Sequence, residues 1–141
     1  MISPQGEAVE SSVELRLPAK AEWVGVARLA IAGIASRLGL DMEEIDDLKL
    51  AVSEACNNCI QFAHAGDEVL ITNTIYPDRL VVTVRDRVDA SATGITQRRL
   101  GAAKEGGLGV FLIRTLMDEV SYETDARTGS RLTMTKRLKK S

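Results

Sequence analysis

Three short motifs hold the residues able to do chemistry, and they come in a fixed order. Glu54-Ala55-Cys56-Asn57-Asn58 lies inside a long apolar-periodic segment, Asp86 closes a strand-like run, and Glu105-Gly106-Gly107-Leu108-Gly109 precedes a helical run. Residues four apart on a helix sit roughly 40° apart around its axis, so Glu54 and Asn58 project the same way. An amide oxygen suits Mg2+, a hard cation that takes a few protein oxygens and leaves its other positions to phosphate and water. A carboxylate one turn away can accept the proton of a hydroxyl attacking a γ-phosphate. Such a pair in isolation is more often a solvated helix flank. Asn57 and Asn58 are weak helix formers, however, and their place in mid-helix asks for a reason.

Asp86 ends the second strand of a hairpin. A buried carboxylate there can accept the exocyclic amine of adenine, which selects adenine over guanine because an unmatched buried group is costly. Alone, a strand-end aspartate more often starts a turn. Gly106, Gly107 and Gly109, with Leu108 between them, open the next helix. Glycine permits positive φ, so backbone N–H groups there can converge on an anion at the positive helix end. The preceding loop is basic, with Gln97-Arg98-Arg99 and Lys104, as a lid over phosphates would be. In this order and spacing the three motifs read as an ATP·Mg2+ site.

These residues need elements to hold them. Val13 to Leu17 alternates and is stopped by Pro18, which predicts a half-buried strand. Ala21 to Leu38 has Trp23, Ala27, Ala30, Ile31, Ile34 and Leu38 at helical spacing, with Gly39 beyond its end. Asp41 followed by Glu44 is a capping-box start for a second helix running to about Ala63. Its apolar stripe is Ile45, Leu48, Val52, Ala55, Cys56 and Cys59, which leaves Glu54 and Asn58 on the flank. Val69 to Tyr76 and Leu80 to Arg85 are strands joined at Pro77-Asp78, a type I turn pair. Residues 86–107 show no sustained period, and a loop of that length in a compact domain is usually functional. Val110 to Met117 reads as a helix, and Val120 to Thr124 with Arg131 to Leu138 as a closing hairpin around Gly129. The order β-α-α-β-β-loop-α-β-β predicts an α/β (α+β) two-layer sandwich, a mainly antiparallel sheet with helices on one face.

Bulk properties narrow the function classes. The chain has 141 residues, 45% apolar and 27% charged, enough for one domain with a core but not for two. A net charge of −2 gives no general pull toward nucleic acid or an anionic membrane. The longest apolar stretch, Trp23 to Ile34, is broken by Gly25, Arg28 and Gly33 and is too short to span a bilayer. Residues 1–12 are polar, without a basic-then-apolar signal pattern, and read as a flexible N-terminus to a domain spanning 13–138. Cys56 and Cys59 have metal or redox spacing but lie on the apolar stripe, so they read as small buried hydrophobes in a cytoplasmic protein. His64 sits near the end of the second helix. Arg28 is the one charge between Glu22 and Arg37 on a helix apolar nearly all round; such a helix in a small two-layer domain is expected to bury its second face against another chain. Arg28 is then either an orienting charge at a protein interface or a snorkelling surface arginine.

The chain resembles the anti-sigma-factor serine kinases, small bacterial members of the gyrase, Hsp90, histidine-kinase and MutL ATPase superfamily. The resemblance is carried by Leu50 to Asn58, by Asp86, by Gly106 to Ile113 with Leu116 to Val120, and by the final strand with Thr133-Met134-Thr135-Lys136. It implies a Bergerat-type ATP site. In it Glu54 would be the general base, Asn58 the Mg2+ ligand, Asp86 the adenine contact, and Gly106, Gly107, Leu108, Gly109 and Thr133 nucleotide-binding positions. Arg28 falls where family members touch their partners. The family implies a homodimer that binds a sigma factor and phosphorylates a serine or threonine on an anti-anti-sigma (STAS-type) antagonist.

Val88 and Ala90 stand where the family usually has two glycines after the aspartate, and Phe62 where a histidine is common. Glycines there let the backbone approach the nucleotide closely; valine and alanine narrow the pocket. A second reading therefore keeps the fold and drops the chemistry: a partner-switching module, non-catalytic or weakly nucleotide-binding, that acts by protein contact.

Overall fold

A computed structural model describes residues 6–87, 107–125 and 129–139. Strand β1 (Ser11–Pro18) leads through a short 3-10 turn (Ala21–Trp23) into helix α1 (Val24–Arg37) and helix α2 (Met42–Ile60). Strands β2 (Glu68–Ile75) and β3 (Arg79–Arg87) follow, then helix α3 (Gly107–Leu116) and strands β4 (Glu119–Asp125) and β5 (Gly129–Arg137). The strands form one sheet in the order β1-β2-β3-β5-β4. Each neighbouring pair is antiparallel. The expected two-layer architecture is the one the chain adopts.

Period-two alternation decides which face of the sheet is covered. Val69 and Ile71 of β2, Leu80, Val82 and Val84 of β3, and Leu132 and Met134 of β5 are buried. They form one core with Ala27, Ile31 and Ala35 of α1, Leu48, Val52, Ala55 and Cys56 of α2, and Val110 and Ile113 of α3. The helices thus share a single face, and β3, carrying Asp86, runs through the middle of the sheet between β2 and β5.

Local signals set the ends of the elements. The capping box at α2 is complete: Glu44 N donates to Asp41 Oδ1 at 2.8 Å and Asp41 N to Glu44 Oε1 at 3.1 Å. Gly39, at φ 76°, ends α1, and Leu40 N donates back to Ala35 O. Pro77-Asp78 turns the β2–β3 hairpin, closed by Tyr76 N donating to Arg79 O at 2.9 Å. Arg79 lies over the Tyr76 ring and pairs with Glu7 and Asp78.

The strands shift by one or two residues at their ends, and β1 and the helices differ from expectation as follows. β1 begins at Ser11 rather than Val13, because Ser11 and Ser12 pair with Ile75 and Thr74; Glu10 N also donates to Ile75 O. The α1 pattern starts too early: residues 21–23 are a 3-10 turn, and Trp23 is 39% exposed instead of lying in the stripe. α2 stops at Ile60, where the chain turns through Gln61 and Phe62 before His64 and Asp67. α3 starts at Gly107, a turn earlier than Val110.

Candidate functional site

α2 presents its apolar stripe to the core and turns Glu54 and Asn58, both half-buried, to its flank. α3 packs against that flank. An added Cβ on Gly109 would stand 3.2 Å from Glu54 Oε2 and 4.0 Å from Glu54 Cβ. The carboxylate therefore sits against the bare backbone of the first turn of α3. A side chain at 109 would make the Glu54 carboxylate give way by a few tenths of an ångström.

This changes the role assigned to the glycines. Gly107 and Gly109 lie within helical backbone rather than in a turn ahead of it, and Gly109 is not among the glycines with positive φ. Gly109 supplies space, not unusual torsion. The N-terminal turn of α3 still offers its unpaired N–H groups and positive dipole end beside Glu54. The side chain of Leu108 is 86% exposed. Gly106 lies outside the described residues, as do Val88, Ala90, Arg98, Arg99 and Lys104.

The second half of the site is at the end of β3. Asp86 is 5% exposed and faces the helices, two residues along from buried Val84. Ser130, the second residue of β5, donates to Asp86 Oδ2 twice, from its backbone N at 3.2 Å and from Oγ at 2.9 Å. Gly129 holds φ 88°, and a Cβ there would come within 3.0 Å of both Asp86 Cβ and Oδ2. A glycine with left-handed torsion and a serine thus hold the carboxylate against the start of β5. On β4, burial pushes the Tyr122 hydroxyl above the usual phenol range, with the Ser130 hydroxyl acting in the lowering sense and Cys59 and Asp86 in the same sense as burial.

Thr133 does not join this group. Its hydroxyl lies 3.4 Å from that of Thr83, its register partner, on the face of the sheet away from the helices. Ser130 is the β5 hydroxyl on Asp86. An odd separation of three along a strand reverses the face, so a residue chosen by motif alone falls on the wrong side.

Among the described residues no group of three or more His, Cys, Asp or Glu is gathered to hold a metal. Asn58 could give one amide oxygen to a Mg2+ otherwise held by phosphate and water. Cys56 and Cys59 are buried, as their stripe positions predict. Burial pushes the Cys56 thiol up to about 12, so it is no nucleophile or metal ligand at neutral pH. Arg28 is exposed on α1 alongside exposed Val26 and Leu29, the latter 76% exposed. No helix among the described residues is long and apolar enough to cross a membrane.

Known proteins resemble this chain. The profile of the histidine kinase-like ATPase domain matches residues 17–136. The serine-protein kinase RsbW of Bacillus pumilus is 43% identical over 140 residues, covering 89% of this chain and 85% of that protein. RsbW of Bacillus subtilis is 42% identical with the same coverage. RsbW of Halalkalibacterium halodurans is 40% identical over 92% of this chain and 85% of its own length. Among solved structures, the RsbU and RsbW domains of a Mycobacterium tuberculosis protein superpose with a TM-score of 0.70 at 18% identity, over 93% of this chain and 33% of that one. The histidine kinase domain of a blue-light activated kinase from Erythrobacter litoralis gives a TM-score of 0.51 at 20% identity, over 86% of this chain and 61% of that one. At those identities the two structures speak for the fold.

Proposed function

The chain belongs to the histidine kinase-like ATPase family, among the RsbW serine-protein kinases, and from that premise we propose that it is an ATP- and Mg2+-dependent protein serine/threonine kinase acting as an anti-sigma factor. Its substrate in this reading is a STAS-type anti-anti-sigma protein, and its other partner a sigma factor. The observation that carries the reading is the seating of Glu54 against Gly109 at the start of α3. It puts a carboxylate beside the helix end best suited to phosphate, with an amide one turn along.

Each residue then has one task. Asp86, clamped by Gly129 and Ser130, accepts the amine of the base. Asn58 gives its amide oxygen to the cation, and the N–H groups at the start of α3, with Gly107, Leu108 and Gly109, face the phosphates. Mg·ATP supplies the phosphoryl group and the charge that offsets the phosphate oxygens. Glu54 takes the proton of the incoming serine or threonine hydroxyl as that oxygen attacks. Phosphotransfer from ATP to the antagonist tests this. Glu54→Ala should abolish transfer while ATP still binds, and undiminished transfer would remove Glu54 from the mechanism.

Val88 and Ala90 favour a second reading, a module of the same fold that switches partners by contact without catalysis. Titration with Mg·ATP separates the two, since the module should give no saturable heat at millimolar nucleotide. The exposed apolar run on α1, with Val26, Leu29 and Arg28, supports a homodimer or partner interface in a cytoplasmic protein. A monomeric sedimentation profile at tens of micromolar would refute self-association.

A further inference from the structure

The helices cover one face of the sheet, and a single register row crosses the other face on all five strands. Arg16 of β1 pairs with Leu70 of β2, Leu70 with Arg85 of β3, Arg85 with Arg131 of β5, and Arg131 with Glu123 of β4. Cross-strand partners share a face. Arg85 stands between Val84 and Asp86, both buried under the helices, so the row points the other way. Three arginines therefore line up across the open face, over three strand spacings or about 14 Å. Stability does not call for this row. Like charges directly opposite each other weaken a sheet, and Arg85 faces Arg131 in register. Glu123 takes Arg131 at 2.8 Å, but among the described residues neither Arg16 nor Arg85 has an ion pair. Arg16 is exposed, and Arg85 and Leu70 are half-buried.

Charge decides what the row fits. Glu14 and Glu68, two residues before Arg16 and Leu70, share the face with Glu123, which disfavours a nucleic acid whose charge repeats without a break. The chain's own acidic run, Glu43 to Asp47 at the start of α2, lies on the helix layer. Two copies joined through opposite layers would stack head to tail without closing. We propose that the Arg16–Arg85–Arg131 row is a docking site for an acidic helix of a different protein, on the layer opposite Glu54 and Asp86. Successive turns of a helix set side chains 5–6 Å apart, close to the strand spacing of about 4.8 Å. A carboxylate at i then meets Arg16, an apolar residue at i+4 lies on Leu70, and carboxylates at i+7 and i+11 meet Arg85 and Arg131. Each arginine fork takes a carboxylate through two parallel hydrogen bonds. Arg131, shared with Glu123, contributes least.

The probe is a synthetic helical peptide with Glu at those three positions and Leu at i+4. It is titrated against the full chain by fluorescence anisotropy, beside a twin with Gln for each Glu and a DNA duplex of similar length. The Glu peptide should bind saturably, and the Gln twin and the duplex tenfold or more weakly. Arg16→Ala and Arg85→Ala should each raise the peptide Kd about two- to fivefold, the worth of one exposed charge pair, and together about tenfold. High salt should weaken the wild-type complex and leave the double variant nearly unmoved. Arg85→Thr separates docking from folding: it should weaken the peptide while its urea midpoint stays level or rises, because a like-charge contact is removed. The proposal is overturned by the absence of saturable binding, by a Gln twin or a duplex that binds as tightly, or by arginine variants that bind as wild type does. A lowered urea midpoint in Arg85→Thr would make the row structural and overturn it as well. Concentration-dependent assembly of the wild type that Arg85→Ala abolishes would give the face to a second copy instead.

Discussion

Glu54 Oε2 stands 3.2 Å from the point that a methyl carbon on Gly109 would occupy, so the carboxylate of one helix rests on the bare backbone of another. Contacts that tight are relieved by movement of a few tenths of an ångström. The carboxylate end of Glu54 would have to make that movement.

Gly109→Ala should therefore separate stability from catalysis. Alanine is the better residue in a helix by about 0.5–1 kcal/mol, so unfolding in urea should show little loss or a slight gain. Phosphotransfer should fall roughly tenfold or more, because displacing a positioned proton acceptor is costly even when the fold is intact. A variant as active as wild type would show that Glu54 is not held at this seam for its chemistry.

Gly129→Ala should lose on both counts. Its φ of 88° strains any L side chain, and the new Cβ would meet Asp86 at 3.0 Å. A destabilisation of roughly 1–3 kcal/mol in urea melts should come with weaker ATP binding, since Asp86 must turn away. Full affinity in a folded Gly129→Ala protein would argue that the position of Asp86 is unimportant.

Cys56 should be chemically silent in the native protein. Burial holds its thiol near 12, so almost no thiolate is present at pH 8. Iodoacetamide at pH 8 should leave Cys56 unmodified by mass spectrometry until guanidinium unfolds the chain. Rapid native labelling would show that α2 opens at its core face.

The α2 cap predicts a dependence on acid. The backbone N–H of Glu44 is the main cause holding the Asp41 carboxyl below its usual range, and Lys139 assists. A carboxyl lowered in the folded state contributes stability that is complete above its unfolded pKa and disappears as pH falls through the folded value. Asp41→Ala should therefore melt below wild type at pH 7, and the gap should close as the pH drops under the carboxylate range. A gap as wide at pH 2 as at pH 7 would mean that the charge plays no part.

Much of this was legible from residue order. The Asp41–Glu44 cap, the α2 stripe and the Pro77-Asp78 turn are local signals, and each appears in the fold where its chemistry demands. Glu54, Asn58 and Asp86 could be chosen because their types and spacing speak for a task. Ser130 carried no such mark. A lone serine after a glycine is an ordinary turn residue, and only the β3–β5 pairing brings it to Asp86. Thr133, picked by resemblance, went to the opposite face because parity along a strand outweighs nearness in sequence. The glycines of α3 were read as a turn because glycine's torsional freedom is visible in a sequence, whereas a neighbour's need for space is not.

β3 lies between two strands while Glu54 rides on a helix seam, so the proposed base contact and the proposed proton acceptor are anchored to different parts of the protein. Base selectivity and turnover should behave as independent dials. Redesigning the strand end could swap the accepted purine without slowing the reaction, and retuning the helix seam could slow it without changing which purine enters.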